Sequence, residues 1–188
     1  MNGALMEIPE ATAHRIRLVV LDVDGVLTDG GIYVGATRDG EAVELKRFDV
    51  QDGIGVRMLK SAGIHVAVIS GRVSAATDLR AAELGIVDVY QDAEARKVPA
   101  LESLVAAMGL GWREVALLGD DLADLPVLRR VGLAATVANG ALEVRRVATW
   151  QSSREGGRGA VREFAEALLR ARKQWDGLVD EYCRERAG

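Results

Sequence analysis

Cysteine is nearly absent from this chain of 188 residues, and histidine is scarce. The single cysteine, Cys183, excludes a disulfide within the chain, as is typical of proteins that work in a reducing compartment. The two histidines, His14 and His65, do not have the spacing of a metal site. The scarcity of cysteine excludes a disulfide-rich fold and favours a cytoplasmic location.

Long hydrophobic runs and an excess of positive charge are missing as well. No apolar stretch approaches the roughly 20 residues that a membrane helix needs. Residues 1–17 have no continuous apolar core of the kind found in signal peptides. The net charge of −4 provides no basic surface for nucleic acid or anionic lipid. We therefore expect neither a membrane nor a nucleic acid as a partner.

The composition that remains is that of an ordinary globular protein. Hydrophobic residues make up 49% of the chain and charged residues 28%, which at this length allows a sizeable core. We expect one domain over residues 1–188. Within it we expect an N-terminal extension at 1–16, a hairpin insertion at 31–48 and a C-terminal tail at 173–188.

Short apolar segments rich in β-branched residues alternate with helical patterns. The predicted strands are 18–23, 65–70, 87–90, 115–119 and 133–137, and the predicted helices are 53–62, 74–84, 99–108, 122–130 and 160 to about 172. This alternation predicts an α/β fold with a doubly wound parallel sheet covered by helices on both faces. In such sheets ligands bind at the carboxyl ends of the strands.

One segment interrupts the alternation. Residues 31–34 and 43–48 are β-rich, and Arg38-Asp39-Gly40 between them is typical of a turn. The pattern predicts a β-hairpin after the first strand, too short to form a separate cap domain. Because an exposed hairpin has unpaired edges, we expect it to pack against a neighbouring subunit.

The most informative motif is DVDGVLTDG, residues 22–30, which follows the first predicted strand. Asp22 and Asp24 are two residues apart, so on a strand their side chains point to the same side. Paired acids at this position are costly unless a cation binds them or one of them carries a proton. A divalent cation and a phosphate ester would account for both acids.

Three further features lie at or just after strand ends: Ser70-Gly71-Arg72, Lys97, and GDDLAD over residues 119–124. Phosphoryl transfer to a carboxylate needs a nucleophile, a general acid/base, oxygen ligands for Mg²⁺, and a hydroxyl and an amine that hold phosphate oxygens. Asp22, Asp24, Asp120, Ser70 and Lys97 supply a candidate for each of these requirements.

In this order the motifs resemble those of the haloacid dehalogenase superfamily of phosphohydrolases. Three further features, FDVQDGIGVR (48–57), the arginines at 72 and 80, and GGRGAVRE (156–163), resemble one family within it, the 3-deoxy-D-manno-octulosonate 8-phosphate phosphatases. The resemblance implies a Rossmann-like sheet without a cap domain. It also implies Mg²⁺ as cofactor, an aspartyl-phosphate intermediate, a sugar-acid phosphate as substrate and a homotetramer.

The resemblance also implies a role for each matching residue. The catalytic residues are Asp22 as nucleophile, Asp24 as general acid/base, Ser70 and Lys97. The metal ligands are Asp22, Asp24 through its backbone carbonyl, and Asp120, while Asp121 and Asp124 are expected to orient metal-bound water. The substrate-binding residues are Asp49, Val50, Gln51, Asp52, Gly53, Arg57, Arg72, Arg80 and Lys97. The chain departs from the family at Asp49, where Asn is usual, and at Ser70, where Thr is more common.

Several alternatives stay open. Arg72 can hold a carboxylate with two hydrogen bonds, which favours the eight-carbon substrate. The related branch that acts on nine-carbon sialic-type sugar phosphates has Glu at that position, and another small sugar phosphate would fit the same chemistry. Outside the phosphatases, a phospho-receiver domain or an oligomerising module remains. The position of DxDG on the first strand disfavours the receiver, and the retention of both Asp22 and Asp24 disfavours the module.

Overall fold

A parallel sheet of six strands forms the centre of the molecule, in a computed structural model that describes residues 7–187. Its strands are β1 (Leu18–Leu21), β4 (His65–Ser70), β5 (Asp88–Gln91), β6 (Val115–Gly119), β7 (Leu133–Thr136) and β8 (Trp150–Gln151), while β2 (Tyr33–Ala36) and β3 (Ala42–Leu45) pair as a separate antiparallel hairpin. The order across the sheet is β5-β4-β1-β6-β7-β8. The carboxyl end of β1 therefore lies between those of β4 and β6.

Helices cover both faces of this sheet. They are α1 (Glu10–Arg15), α2 (Val50–Ser61), α3 (Ala75–Glu83), α4 (Lys97–Ala107), α5 (Leu125–Leu128), α6 (Leu142–Val147), α7 (Ala160–Ala171) and α8 (Trp175–Arg186). Alternate side chains of β1 enter two different cores, because successive residues of a strand point to opposite faces. Val19 and Leu21 pack in the core under α2 and α7, whereas Leu18 and Val20 pack in the core under α4 and α5.

The predicted α/β class, the parallel sheet and the inserted hairpin are confirmed. The bounds predicted for β4 and β6 agree with the structure, and the other predicted strands differ from it by one or two residues at an end. The continuous helix predicted over 122–130 is wrong. Residues Leu122–Asp124 form a 3₁₀ turn before α5, because Asp121 and Asp124 accept hydrogen bonds from nearby backbone N–H groups.

Four elements were not predicted from the pattern: α1, α6, β8 and α8. The strand β8 has two residues, too few for a hydrophobic period to be read. Residues 7–16 of the predicted extension and 173–187 of the predicted tail fold back onto the body of the protein, and residues 1–6 and 188 lie outside the described residues. The guanidinium of Arg172 donates to the carbonyls of Ala13 and Ile16, and the Trp175 ring is buried under the guanidinium of Arg162, which lies 4.8 Å from the ring centre.

The hairpin has an unusual distribution of side chains. Its apolar residues face outward: Val34 is 76% exposed and Leu45 64%. At its base, a single antiparallel bridge joins Thr28 to Phe48. Among residues 7–187, no helix combines the length and the apolar character needed to cross a membrane.

Gly55 lies where α2 packs against α7, and its position yields a stability prediction. A Cβ on Gly55 of α2 would lie 2.8 Å from the Cα of Arg162 in α7, so that Gly55→Ala must push two backbones apart. We expect it to lower the free energy of unfolding by about 1–2 kcal/mol, because overpacking outweighs the better helix propensity of alanine.

The matched control for Gly55→Ala is Gly177→Ala in α8, where a Cβ would meet no atom within 4 Å. Alanine there should raise the stability by up to about 1 kcal/mol. Chemical denaturation of both variants measures the difference, and a stabilised Gly55→Ala protein would show that the two helices are not in contact as described.

Candidate active site

A tight turn after β1 brings two acidic strand ends together. Asp22 is the first residue beyond β1, and the helical turn Val23–Leu27 contains Gly25 at a φ of 94°, a conformation that favours glycine. A Cβ on Gly25 would lie 2.1 Å from Oδ2 of Asp120, which follows β6. Glycine is therefore required both by the turn and by the approach of Asp120.

One buried lysine joins the acids. The ammonium of Lys97, at the start of α4, lies 2.6 Å from Oδ1 of Asp22 and 2.7 Å from Oδ1 of Asp124. The other oxygen of Asp124 accepts a hydrogen bond of 3.0 Å from the backbone N–H of Asp120. The side chains of Asp22, Lys97 and Asp124 are all buried. Lys97 thus fixes the orientation of Asp22. It lies after β5, whereas Asp22 follows β1 and Asp124 follows β6.

The carboxylates affect one another strongly. Burial, together with the charge of Asp124, raises the pKa of Asp22 to about 6, although Lys97 opposes the shift. Burial and the neighbouring Asp22 and Asp124 raise the pKa of Asp120 to about 8. Burial lowers the pKa of Lys97, but the two facing carboxylates outweigh it and raise the value to about 12. The cluster therefore needs additional positive charge to keep its acids ionised.

A divalent cation fits this cluster. Carboxylate oxygens of Asp22, Asp120 and Asp124 lie within 4.8 Å of one another. When all three are ionised, their negative charges face the single positive charge of Lys97, which leaves two charges to be neutralised. Oδ1 of Asp120 is also buried with no hydrogen-bond partner among residues 7–187. Oxygen ligands of this kind are those that Mg²⁺ prefers.

Asp24 is held from the hairpin by a residue that the sequence did not indicate. The ammonium of Lys46 contacts Oδ1 of Asp24, and its side chain is only 2% exposed. The available signal was the alternation in β3 and just beyond, where Glu44 and Lys46 share one face and Val43 and Leu45 the other. An apolar face is normally assigned to the interior, and here the charged face is the inner one.

Ser70 and Arg72 lie at the end of β4. Ser70 is buried, and its Oγ accepts a hydrogen bond of 3.1 Å from the backbone N–H of Arg72, so its hydroxyl hydrogen is left for another acceptor. The Nη2 of Arg72 donates to Oε2 of Glu44 over 2.7 Å. One Arg72 contact with the hairpin leaves its remaining donors for a ligand.

The residues of the segment predicted to contact substrate differ in their burial and in their hydrogen-bond partners. Asp49 caps α2 by accepting from the N–H of Gln51, and Val50 is 78% exposed. Oε1 of Gln51 accepts from Arg154. Asp52 is buried and accepts from the backbone N–H of Arg162 near the start of α7, and its burial raises its pKa to about 6. Asp52 therefore joins α2 to α7 in this structure.

The two predicted arginines of α2 and α3 point in different directions. Arg57 pairs with Glu185 over 2.7 Å and lies over the ring of Tyr182, both in α8. Arg80 pairs with Glu83 and donates from Nη2 to the carbonyl of Asp49. A Cβ added to Gly53 would lie 3.2 Å from this Nη2, so Arg80 lies against Gly53. The structure brings Arg80 to the substrate segment, whereas it directs Arg57 to the last helix. The substrate roles of both stay predictions.

Comparison with known proteins agrees with this geometry. A family model described as haloacid dehalogenase-like hydrolase matches residues 74–163. The 3-deoxy-D-manno-octulosonate 8-phosphate phosphatase of Salmonella typhi is 43% identical over 164 residues, which cover 87% of this chain and 85% of that protein.

Solved structures show the same similarity. The 3-deoxy-D-manno-octulosonate 8-phosphate phosphatase of Moraxella catarrhalis, in complex with magnesium, phosphate and KDO, matches with a TM-score of 0.85 and 39% identity, over 92% of this chain and 97% of that one. The cobalt-bound enzyme of Haemophilus influenzae matches with a TM-score of 0.79 and 36% identity, over 87% of this chain and 93% of that one.

Proposed function

The chain belongs to the haloacid dehalogenase-like hydrolases, in the family of the 3-deoxy-D-manno-octulosonate 8-phosphate phosphatases, and from that membership we propose that it hydrolyses this sugar-acid phosphate with Mg²⁺ as cofactor. The observation that carries the proposal is the cluster of Asp22, Asp120 and Asp124, whose carboxylate oxygens lie within 4.8 Å of one another and in which Lys97 holds Asp22 and Asp124. The cluster lies at the strand edge where α/β enzymes bind their ligands.

The metal ligands in this proposal are the carboxylates of Asp22 and Asp120 and the backbone carbonyl of Asp24. When bound, the ion lowers the repulsion between the attacking carboxylate and the phosphate dianion. Both oxygens of Asp124 are already engaged, one with Lys97 and one with the backbone of residue 120. Asp124 therefore orients Lys97 and the strand end.

In the first step an oxygen of Asp22 attacks phosphorus and the bond from phosphorus to the sugar oxygen breaks. Asp24 gives a proton to the departing oxygen, so the sugar leaves as an alcohol. The ammonium of Lys97 and the hydroxyl of Ser70 hold phosphoryl oxygens as negative charge moves onto them. Lys97 already contacts Asp22 at 2.6 Å, which places its charge at the point of attack.

In the second step a water molecule attacks the aspartyl-phosphate. Asp24, now ionised, takes a proton from that water. The bond between Asp22 and phosphorus breaks, inorganic phosphate leaves and the carboxylate is restored. The pair of acids two residues apart thus serves two different functions, nucleophile and proton carrier.

Arg72 supports a substrate that has a carboxylate. It lies two residues beyond Ser70. Among residues 7–187, its guanidinium makes one hydrogen bond, with Glu44. A guanidinium can hold a carboxylate through two parallel hydrogen bonds. The eight-carbon sugar acid supplies such a group at the end opposite its phosphate.

The outward apolar face of the hairpin supports a homotetramer in which neighbouring copies cover it. Ile32, Val34 and Leu45 are each more than 60% exposed on this short element. Burial of such side chains against another copy would stabilise the assembly by about 25 cal/mol for each Å² of apolar surface removed from water.

Replacement of the nucleophile tests the reaction. Asp22→Asn keeps the shape of the side chain but removes its charge, so Mg²⁺-dependent phosphate release should fall on the order of a thousandfold or more. The rise in melting temperature on adding Mg²⁺ should also shrink, because one ligand is weakened. Asp180→Asn, an exposed acid of α8, is the control. Retained turnover would contradict the assignment of Asp22.

Replacement of Arg72 tests the substrate class. Arg72→Ala should lower kcat/KM for the eight-carbon sugar-acid phosphate by about 10–100-fold, since a charged hydrogen-bonded contact is lost. Use of 4-nitrophenyl phosphate, which has no carboxylate, should fall far less. Arg145→Ala, an exposed arginine of α6, is the control. Equal losses with the two substrates would argue against carboxylate recognition, and better use of nine-carbon substrates by the unaltered protein would favour the other branch.

Light scattering tests the assembly. The unaltered protein should have a mass of about four chains, and Val34→Glu should lower it by placing a charge on the covered hairpin face. Val87→Glu changes a valine that is 83% exposed outside the hairpin, and it should leave the mass unchanged. A monomer before any substitution would exclude the tetramer.

A further inference from the structure

The hairpin extends a lysine to the catalytic turn. Lys46 follows β3 directly, and its ammonium contacts Oδ1 of Asp24. A second carboxylate, that of Glu44, lies 3.6 Å away through Oε1. Glu44 in turn accepts from Arg72 at the end of β4. The four side chains form a chain of alternating charge, from Asp24 through Lys46 and Glu44 to Arg72.

The burial of Lys46 needs an explanation. Its side chain is only 2% exposed, although the apolar side chains of the same hairpin remain largely in solvent. Removing an ammonium from water costs several kcal/mol unless partners compensate for it. Assembly through the outward valines does not account for this burial, because the lysine lies on the opposite face of the hairpin. The sequence instead orients the charged face toward Asp24.

We infer that Lys46 is a positioning residue for Asp24, an inference that rests on the proposed phosphatase function and adds a residue to it. Lys46 holds Oδ1 of Asp24, while Oδ2 is buried and has no hydrogen-bond partner in the part of the chain that the structure describes. Because Lys46 holds Oδ1, Oδ2 is the oxygen left to meet the sugar oxygen in the proposed reaction. The contact therefore sets the direction in which Asp24 reaches the bond that breaks.

This role makes a distinction between substrates. Protonation by a general acid matters most when the leaving group is a poor one, such as an alkyl alcohol, and little when it is a stabilised phenolate. Lys46 should therefore matter for alkyl phosphates in general, with or without a carboxylate. Arg72 should matter only where a carboxylate is present. Alkyl phosphates with and without a carboxylate therefore distinguish the effect of Lys46 from that of Arg72.

The experiment measures kcat/KM of the full-length protein with Mg²⁺ on three substrates: the eight-carbon sugar-acid phosphate, glycerol phosphate and 4-nitrophenyl phosphate. This constant reports steps up to departure of the alcohol and is independent of the later hydrolysis. Lys46→Met should lower it about tenfold or more for both alkyl phosphates and much less for the aryl phosphate. Lys46→Arg should recover part of the loss, since it restores a cation next to Asp24.

Arg72→Ala is the matched comparison, with its loss confined to the sugar-acid phosphate. An equal loss of Lys46→Met on all three substrates, or no loss on any, would overturn the inference. Lys46→Gln is measured in parallel, so that a failure of the methionine variant to fold does not decide the outcome. If the unaltered protein turns over none of the three substrates, the proposed function itself is wrong, a result distinct from failure of the role of Lys46.

Discussion

Two buried carboxylates that share one ammonium, with a third, partly buried carboxylate beside them, form the interaction on which the rest of the site depends. Asp22, Asp120 and Asp124 come from two strand ends, and Lys97 reaches them from a third connection. Their charges do not balance, and the raised pKa values of Asp22 and Asp120 express that imbalance. A cation at the cluster lowers its energy, so affinity for a metal ion follows from burial of like charges.

The parallel sheet and a glycine turn bring the acids of this cluster together. Because β1 pairs with β4 and β6 in parallel, the residues after all three strands end at one edge of the sheet. Gly25 then removes the side chain that would collide with Asp120. Asp124 accepts from the backbone of its own turn, so the cluster is also the local structure that ends β6. The acids are positioned by strand ends and a tight turn, and not by flexible loops.

Much of the fold and of this cluster could be predicted, and the physical reason is the same for both. Buried parallel strands are continuous apolar runs, and the residue after each run must lie at the ligand edge. Asp22, Ser70 and Asp120 were predictable on that ground. Lys46 was not, since an apolar stripe in a hairpin indicates an inner face and here the stripe points outward. The role of Asp52 was equally hidden, because its partner in α7 lies 110 residues away in the sequence.

The hairpin shows why that pattern misleads. Its two faces meet different environments: the charged face reaches Asp24 and Arg72, and the apolar face is exposed to solvent. In a monomer such an arrangement is doubly unfavourable, since it buries charge and exposes valine. The ion pairs of Lys46 with Asp24 and Glu44 offset the first cost, and covering the apolar face in the proposed tetramer would remove the second. In the proposed tetramer, the contacts that cover the outer face and the contact of Lys46 with Asp24 act on the same hairpin, so the proposal links the position of Asp24 to assembly.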